Sequence, residues 1–235
     1  MIYILIHSAK GGVGKTFIAC NLTKHAWKQG YNVALLDLDI HNPCCHIYVK
    51  PKKPKEVEDI NANKLNPYKA EDGFNFFSLI YHFPEYGITW DEEMTAQAVD
   101  TMLNKVKWNS DYLVIDLPPG TDRVVQTAIR NIKEKGMRCK GVVISVPHTG
   151  GILGAKRAID VLKTEGIEIV AVVENLSDFP LYNEHIDEFC KQNGYKLIKI
   201  PCLKTNDMNP NPLIEGFLTS KYDWSELVEV VFGEQ

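Results

Sequence analysis

The 235-residue chain has no long run of apolar residues, no excess of positive charge and no pair of cysteines spaced as C-x-x-C. Without a stretch of about 20 apolar residues, a membrane-spanning helix is not expected. A formal net charge of -4 gives no general attraction to nucleic acid or to anionic lipid. Six cysteines in a chain of this length favour free thiols or a metal site over a framework of disulfides.

The N-terminus also lacks the pattern of a signal peptide. The short apolar run from Ile2 to Ile6 leads directly into a glycine-rich turn rather than into a cleavage site, so we expect a cytoplasmic protein. Hydrophobic residues make up 45% of the chain and charged residues 24%, which is typical of a globular protein. At this length, residues 1–235 are predicted to form a single domain.

Short apolar runs alternate with patterns of helical spacing along the chain. This alternation predicts an α/β fold, in which helices flank both faces of a mostly parallel sheet of about seven strands. The runs are rich in Val, Ile and Leu with little alternation, as expected for strands buried on both faces. The predicted strands are Ile2 to His7, Val33 to Asp37, Phe74 to Leu79, Tyr112 to Leu117, Val142 to Val146, Ile167 to Val173 and Lys196 to Ile200.

Five segments have the spacing of amphipathic helices. Three of them end at a residue that readily adopts the left-handed cap conformation, namely Gly30, Gly136 and Gly166. A fourth helix is predicted from an apolar stripe formed by Met94, Ala98, Met102 and Val106. The fifth spans Ser225 to Phe232. The polar stretch from Lys50 to Asp72 has no periodicity and is predicted to be a mobile surface loop.

A glycine-rich segment lies between the first predicted strand and the first predicted helix, and it reads Ser8-Ala9-Lys10-Gly11-Gly12-Val13-Gly14-Lys15-Thr16. A turn of this kind presents successive backbone N–H groups to one anion. Lys15 is then placed to neutralise the β- and γ-phosphates of a nucleotide, and the Thr16 hydroxyl to reach Mg2+. The segment therefore predicts a phosphate-binding loop, although a glycine-rich turn with incidental lysines is the alternative. Lys10 needs a separate explanation.

Two predicted strands end in aspartate. Asp37 and Asp39 follow one strand at a spacing that points both side chains to the same side, and Asp116 ends another before a stiff Pro-Pro-Gly turn. The carboxyl ends of parallel strands form the crevice of such sheets, so all three are candidate Mg2+ ligands, partly through water. Asp39 is the candidate for orienting the attacking water. The alternative is that each aspartate only caps the following turn.

The combined motifs resemble the Mrp/Nbp branch of the deviant phosphate-loop ATPases, relatives of MinD and ParA. The resemblance covers nearly the whole chain and rests on Lys10 to Thr16, Asp37 to Pro43, Asp111 to Asp122 and Val172 to Ser177. It implies a P-loop NTPase fold and a homodimer that holds two ATP molecules with Mg2+. In that dimer Lys10 reaches the partner's phosphates, which ties hydrolysis to association. The resemblance also implies that Asn175 and Pro201 contact the base.

The cysteines depart from this branch. Members that carry an iron-sulfur cluster have a C-x-x-C pair shortly after the last of these motifs, and a dimer then supplies four thiolates to one cluster. The corresponding stretch from Ser177 to Asn183 contains no cysteine. Cys190 and Cys202 lie downstream, but eleven intervening residues make them a poor chelating pair. An iron-sulfur cluster is therefore doubtful for this chain.

Two further features are particular to this sequence. Phe17 stands where relatives usually have Ser or Thr, so contact with the α-phosphate is left to backbone N–H groups. A group of potential metal ligands follows Asp39, namely His41, Cys44, Cys45 and His46. Adjacent cysteines seldom both reach one ion, and the spacing matches no structural zinc pattern. We interpret the group as part of a loop that responds to nucleotide.

The function best supported by the sequence is that of a dimeric, slowly hydrolysing ATPase that assists iron-sulfur cluster or metal-cofactor assembly for an unknown client. A MinD/ParA-like positioning ATPase is the first alternative. It requires a basic surface for a membrane or nucleic acid, of which the chain shows no strong sign. An ATP-dependent small-molecule enzyme of the same fold would need a second substrate pocket, and a non-enzymatic nucleotide-binding module would leave Lys10 and Asp39 without a role.

Overall fold

The computed structural model describes residues 1–52, 58–60, 62–83, 90–202 and 222–233. Eight strands are found in this part of the chain: β1 (Ile2–His7), β2 (Val33–Asp37), β3 (Tyr68–Lys69), β4 (Asn75–Phe77), β5 (Tyr112–Asp116), β6 (Cys139–Ser145), β7 (Glu168–Asn175) and β8 (Leu197–Ile200). They form one sheet in the order β3-β4-β2-β5-β1-β6-β7-β8. Every neighbouring pair is parallel except β3 and β4. The predicted fold class is confirmed.

The eighth strand lies in the stretch that was predicted to be a mobile loop. Tyr68 and Lys69 pair with β4, and Leu65 upstream is fully buried and forms an isolated bridge with Val106. Residues 53–57 and 61 of the same stretch lie outside the described residues. The mobility of the stretch from residue 50 to residue 72 therefore stays a prediction.

Seven α-helices are found in the described residues: α1 (Lys15–Lys28), α2 (Cys45–Val49), α3 (Glu92–Asp100), α4 (Arg123–Glu134), α5 (Thr149–Thr164), α6 (Asp187–Asn193) and α7 (Ser225–Phe232). The glycines predicted to end helices, Gly30, Gly136 and Gly166, all have positive φ. The short α2 and α6 were not predicted from periodicity.

The predicted stripe on the fourth helix is wrong at both of its ends. Met94, at the first position of the stripe, is 38% exposed. Val106 is buried, but its backbone is extended, and residues Thr101–Lys105 before it form a π-helical turn. The change of helical pitch breaks the simple spacing from which the stripe was drawn.

The core has two layers, one on each face of the sheet. Along β1, Tyr3 and Leu5 face the layer covered by α3, α4 and α5, while Ile4 and Ile6 face the layer covered by α1 and α7. Burial of apolar side chains on both faces explains why the strands read as continuous apolar runs. Among the described residues, no helix combines the length and the apolar character needed to cross a membrane.

Candidate nucleotide-binding site

The phosphate loop, residues 8–16, connects β1 to α1 at the carboxyl edge of the sheet. Gly14 immediately precedes α1 and has a φ of 93°. A Cβ atom on Gly14 would lie 2.4 Å from Nδ2 of Asn175. Backbone conformation and available space therefore both require glycine here. The amide of Asn175 in turn donates to the carbonyl oxygen of Val13 at 3.0 Å, so that the end of β7 braces the loop.

Lys15 begins α1 and is only 7% exposed. Burial lowers the pKa of its ammonium group, and the negative charges of Asp116 and Asp39 oppose that change. A lysine this buried is rare unless charges nearby compensate for the lost hydration. The side chain is thus held among carboxylates at the start of a helix, where the macrodipole also favours an anion.

The carboxylates of Asp37 and Asp116 lie side by side because β2 and β5 pair in register at these two residues. Each side chain is 1% exposed. The Thr16 hydroxyl donates to Oδ2 of Asp116 at 2.6 Å. Burial raises the pKa of Asp116 to about 6, although the Thr16 hydrogen bond and Lys15 act in the opposite direction. Burial and the charge of Asp116 raise the pKa of Asp37 well above its usual range.

One oxygen of each buried carboxylate has no hydrogen-bond partner within the described ranges, namely Oδ1 of Asp37 and Oδ1 of Asp116. Oδ2 of Asp37, by contrast, accepts from the backbone N–H of Cys45 at 3.0 Å. Buried carboxylate oxygens without partners are costly unless a cation neutralises them. Together with the Thr16 hydroxyl they form an all-oxygen donor set that suits Mg2+. The residues present therefore fit the predicted metal.

The segment after β5 lies against the phosphate loop. The backbone N–H of Gly120 donates to the carbonyl oxygen of Ser8 at 3.2 Å. Two residues later, Asp122 caps α4 by accepting from the N–H of Val125 at 3.2 Å. The phosphate loop is therefore hydrogen-bonded to the segment that leads into α4.

Asp39 and Lys10 lie on the solvent side of the loop. Asp39 is half-buried and accepts from the backbone N–H of Asn42 at 3.1 Å. Lys10 is exposed, and its stem crosses the first turns of α5: a Cβ on Gly154 would lie 3.3 Å from Cγ of Lys10, and one on Gly150 would lie 2.5 Å from Nζ. Glycine at both positions leaves room for this path. Lys10 forms no ion pair with any residue that the structure describes.

The residues predicted to contact the rest of the nucleotide are placed as follows. Phe17 is buried and packs edge-on against Tyr48 and Trp224, with ring centroids 6.4 and 5.8 Å away. Its side chain joins α1 to the core rather than facing the loop. Pro201 follows β8 and is half-buried, while residues 203–221 lie outside the described part of the chain. Base contacts by Asn175 and Pro201 stay predictions.

The four ligand-type residues after Asp39 do not converge. His41 and Cys44 are exposed and His46 is half-buried, whereas Cys45 is fully buried. The Cys45 thiol donates to Oδ2 of Asp116 at 3.5 Å, across a sequence separation of 71 residues. Sequence reasoning missed this contact because the two residues approach only when β2 and β5 pair.

His7 is a second residue that sequence reasoning missed. It ends β1, is fully buried, and neither ring nitrogen has a hydrogen-bond partner in the described structure. Burial, with a smaller effect from Lys15, lowers its pKa to about 4. The imidazole therefore stays neutral beneath the phosphate loop. Its place at the end of a predicted strand was visible in the sequence, but its isolation from partners was not.

A second group of ligand-type side chains lies at the end of β7. Glu174 is fully buried, and its two oxygens contact His185 Nδ1 at 2.8 Å and the backbone N–H of Ile186 at 3.0 Å. Lys199 lies 3.7 Å from Glu174 and 2.7 Å from Asp187. Both carboxylates therefore already have cationic or N–H partners.

Comparison with known proteins agrees with this geometry. The family model described as ParA, NUBPL iron-transfer P-loop NTPase, matches residues 2–210. The iron-sulfur cluster carrier protein of Pyrococcus horikoshii is 31% identical over 210 residues, which cover 83% of this chain and 68% of that protein. The protein of the same name from Deinococcus radiodurans is 31% identical over 178 residues, which cover 75% of this chain and 49% of that one.

Solved structures share the fold. The nucleotide-binding protein of Archaeoglobus fulgidus, in complex with ADP, superposes with a TM-score of 0.74 at 24% identity, covering 97% of this chain and 92% of that one. MinD of Pyrococcus horikoshii, in complex with Mg-ADP, superposes with a TM-score of 0.64 at 17% identity, covering 93% and 86%.

Proposed function

Because the chain belongs to the NUBPL iron-transfer family of P-loop NTPases, we propose that it binds ATP with Mg2+ and hydrolyses the nucleotide slowly as a homodimer. We further propose that this cycle assists iron-sulfur cluster or metal-cofactor assembly on a client protein whose identity is unknown. The observation that carries the proposal is the arrangement of the buried Lys15 and Asp116 with the half-buried Thr16, whose hydroxyl donates to Asp116, at one end of the sheet. The predicted cytoplasmic location is part of the same proposal.

Each residue of the site has a role in binding. The backbone N–H groups from Gly11 to Thr16 would hold the phosphates, and Lys15 would neutralise their charge. Thr16 and Asp116 would hold Mg2+, with Asp37 and Asp39 acting partly through water. The bound cation offsets the negative charge of the β- and γ-phosphates.

Hydrolysis is proposed to depend on a second copy of the chain. Asp39, half-buried at the mouth of the site, would orient the attacking water. Lys10 lies in the loop that follows β1, is exposed, and forms no ion pair with any described residue. An ammonium group held at the surface in this way is available to another subunit. A cation that arrives only in the dimer would stabilise the charge of phosphoryl transfer, so association would control the rate.

The proposed role in cluster assembly follows from the family and from the curated relatives that are named cluster carriers. The chain itself lacks a C-x-x-C pair. Cys190 is buried in α6, and Cys202 follows β8. We therefore propose that the protein assists assembly and does not itself carry a cluster in the manner of its relatives.

The two lysines can be separated experimentally. We expect Lys15→Ala to lose ATP binding, whereas Lys10→Ala retains binding and loses hydrolysis by on the order of 10²-fold, as for removal of one charge-stabilising group. Lys133→Ala, which removes an exposed lysine near the far end of α4, is the matched control and should hydrolyse ATP like the wild type. Binding is measured with a fluorescent ATP analogue and hydrolysis by phosphate release. Wild-type hydrolysis by Lys10→Ala would contradict the proposed role of Lys10.

A mixing experiment tests whether Lys10 acts on the partner's nucleotide. Lys10→Ala and Asp39→Asn subunits are each expected to be inactive alone. In a mixed dimer, the site on the Lys10→Ala subunit keeps its own Asp39 and receives Lys10 from the other subunit, so part of the activity should return. Sedimentation of the same mixtures, with ATP and with ADP, shows whether dimers form under each condition. If activity never returns although mixed dimers form, Lys10 acts within its own subunit.

Anaerobic reconstitution with iron and sulfide tests the cluster. We expect the wild-type protein to show no cluster absorbance after desalting. A cluster that forms in the wild type and is lost in the Cys190→Ser, Cys202→Ser double variant would show that the chain carries one by an arrangement other than that of its relatives.

A further inference from the structure

The metal end of the nucleotide site contains a sulfur atom. One ligand atom each from Asp37, Cys45 and Asp116 lie within 4.8 Å of one another, and all three residues are buried. Cys45 is the first residue of α2 and its backbone N–H donates to Asp37, so its position relative to β2 is constrained by the backbone. The thiol faces Asp116 at 3.5 Å.

A second observation indicates that this group is incomplete without a cation. Oδ1 of Asp37 and Oδ1 of Asp116 are both buried, and neither has a hydrogen-bond partner in the ranges that the structure describes. Two carboxylates at the ends of adjacent strands also repel one another, so the group has an excess of negative charge in a region of low dielectric. A divalent cation among these atoms would relieve both costs.

The kind of donor atoms bears on which cation is held. Mg2+ prefers oxygen ligands and dehydrates reluctantly, so a thiolate is a poor ligand for it. Iron(II), cobalt(II) and zinc(II) accept mixed oxygen and sulfur ligands, and a thiolate ligand increases their affinity relative to Mg2+. A Cys45 that remains a thiol would only donate to Asp116. The three ligand atoms lie close enough for one cation to contact all of them, and binding of such a cation would release the thiol proton, so that Cys45 becomes the third ligand.

We propose that Asp37, Cys45 and Asp116 form a site for a thiophilic divalent cation of the Fe2+, Co2+ or Zn2+ class, in addition to the part that the two aspartates would take in holding Mg2+. The location of this site rests on the proposed nucleotide site, but its existence does not depend on hydrolysis. The two cations would use the same carboxylates, so they would exclude one another. Occupation by the thiophilic cation would then keep Mg2+ out, so that binding of Mg2+ at the nucleotide site would depend on the supply of the thiophilic metal.

Cobalt(II) is the probe, because a cobalt–thiolate bond gives a charge-transfer absorption that cobalt bound only to oxygen or nitrogen lacks. The full-length, metal-free protein is titrated with Co2+ with and without ADP. We expect the band in the wild type and its loss in Cys45→Ser. Cys44→Ser, which removes the exposed neighbouring thiol, is the matched control and should keep the band.

Competition between metals measures how much the Cys45 sulfur contributes to metal affinity. Loss of the sulfur ligand should weaken Zn2+ binding by about 10- to 100-fold, in the range found when groups that support a metal site are removed. Mg2+ affinity, measured with ADP present, should change by less than about twofold, since Mg2+ does not use the sulfur. Circular dichroism establishes that each variant is folded.

A measurement on the wild type keeps the proposal testable if the variants do not fold. X-ray absorption of the zinc-loaded protein should show one sulfur at about 2.3 Å among oxygen neighbours at about 2.0–2.2 Å. A shell of oxygen and nitrogen only, or a cobalt band that survives in Cys45→Ser, would overturn the proposal. Nucleotide binding with Mg2+ is recorded on the same samples. Absence of Mg-nucleotide binding would count against the proposed function. Normal Mg-nucleotide binding without the sulfur signal would count against this site alone.

Discussion

Two groups of ligand-type side chains lie at the carboxyl ends of strands in the same sheet, and their surroundings differ. The first, Asp37, Cys45 and Asp116, has two buried carboxylate oxygens without hydrogen-bond partners among the described residues. In the second, Glu174 has both oxygens engaged, by His185 and by the N–H of Ile186.

The difference shows what separates a binding site from a structural cluster. Both groups contain three ligand-type residues within 4.8 Å of one another, so composition and distance alone do not distinguish them. The second group is completed by the protein itself, because Lys199 supplies the positive charge. The first group is partly compensated by Lys15 and lacks partners for the remaining oxygens. We infer that the first group lowers the stability of the ligand-free protein but provides a binding site, whereas the second group stabilises the fold.

The largest expected effect is at the second group. Glu174→Ala should lower the free energy of unfolding by about 3–5 kcal/mol, because it leaves the buried N–H of Ile186 without its acceptor and leaves a cavity at a fully buried side chain. Loss of the contacts with the partly exposed His185 and Lys199 contributes less, since Lys199 keeps Asp187. Urea unfolding followed by circular dichroism measures the change. Asp187→Asn, at a side chain that is 52% exposed, is the control and should cost less than about 1 kcal/mol. A loss below that of the control would mean that Glu174 is not structural.

The next effect concerns His7, which shares with the first group the lack of hydrogen-bond partners. Its folded-state pKa is about 4, below the usual value of 6.5. Between these values the unfolded chain binds more protons, so stability falls as the pH is lowered from about 6.5 to about 4. The difference between wild type and His7→Gln isolates this contribution from that of the carboxylates. We expect the wild type to lose about 3 kcal/mol relative to the variant over that window.

Urea unfolding at several pH values between 4 and 7 provides the measurement for His7. A difference between the two proteins that does not change with pH would show that His7 is protonated, or has a partner, in the folded protein.

The smallest expected effect has the opposite sign. Asp37→Asn should raise the free energy of unfolding of the ligand-free protein by about 1 kcal/mol, because a neutral amide removes the repulsion with Asp116 and can still accept from the N–H of Cys45. The same variant should bind Mg-nucleotide more weakly. Thermal unfolding with and without Mg-ADP measures both changes. Destabilisation of the ligand-free protein would contradict the inference that this group sacrifices stability for binding.

Much of the fold was predictable because the strands are buried on both faces. Continuous apolar runs located β1, β2 and β5 to within one residue at each end. The short elements β3, α2 and α6 were missed, since two to seven residues are too few to show periodicity. The family was also predicted correctly from four motifs, because phosphate loops and strand-end aspartates are local patterns whose chemistry requires fixed spacing.

The candidate site was also predictable only in part. Lys15, Thr16 and Asp116 were named from local sequence, and the structure brings them together. Cys45 was assigned to a loop, because nothing near it in the sequence shows that β2 and β5 pair in register. Its contact with Asp116 is decided by that pairing. Lys10, Asp39, Asn175 and Pro201 keep roles that only nucleotide and a second subunit can test.

The sequence by itself determined the family, the parallel sheet and the loop that would hold phosphate, since each depends on residues that are neighbours along the chain. Only the tertiary structure decided which buried polar groups have partners. Within the described residues, hydrogen-bond partners are missing at one carboxylate oxygen of Asp37, at one of Asp116 and at both ring nitrogens of His7. Both carboxylate oxygens of Glu174, by contrast, have partners. Partners come from other strands and helices, and burial removes the water that would otherwise replace them. The free-energy cost of a polar group is therefore a property of the folded arrangement.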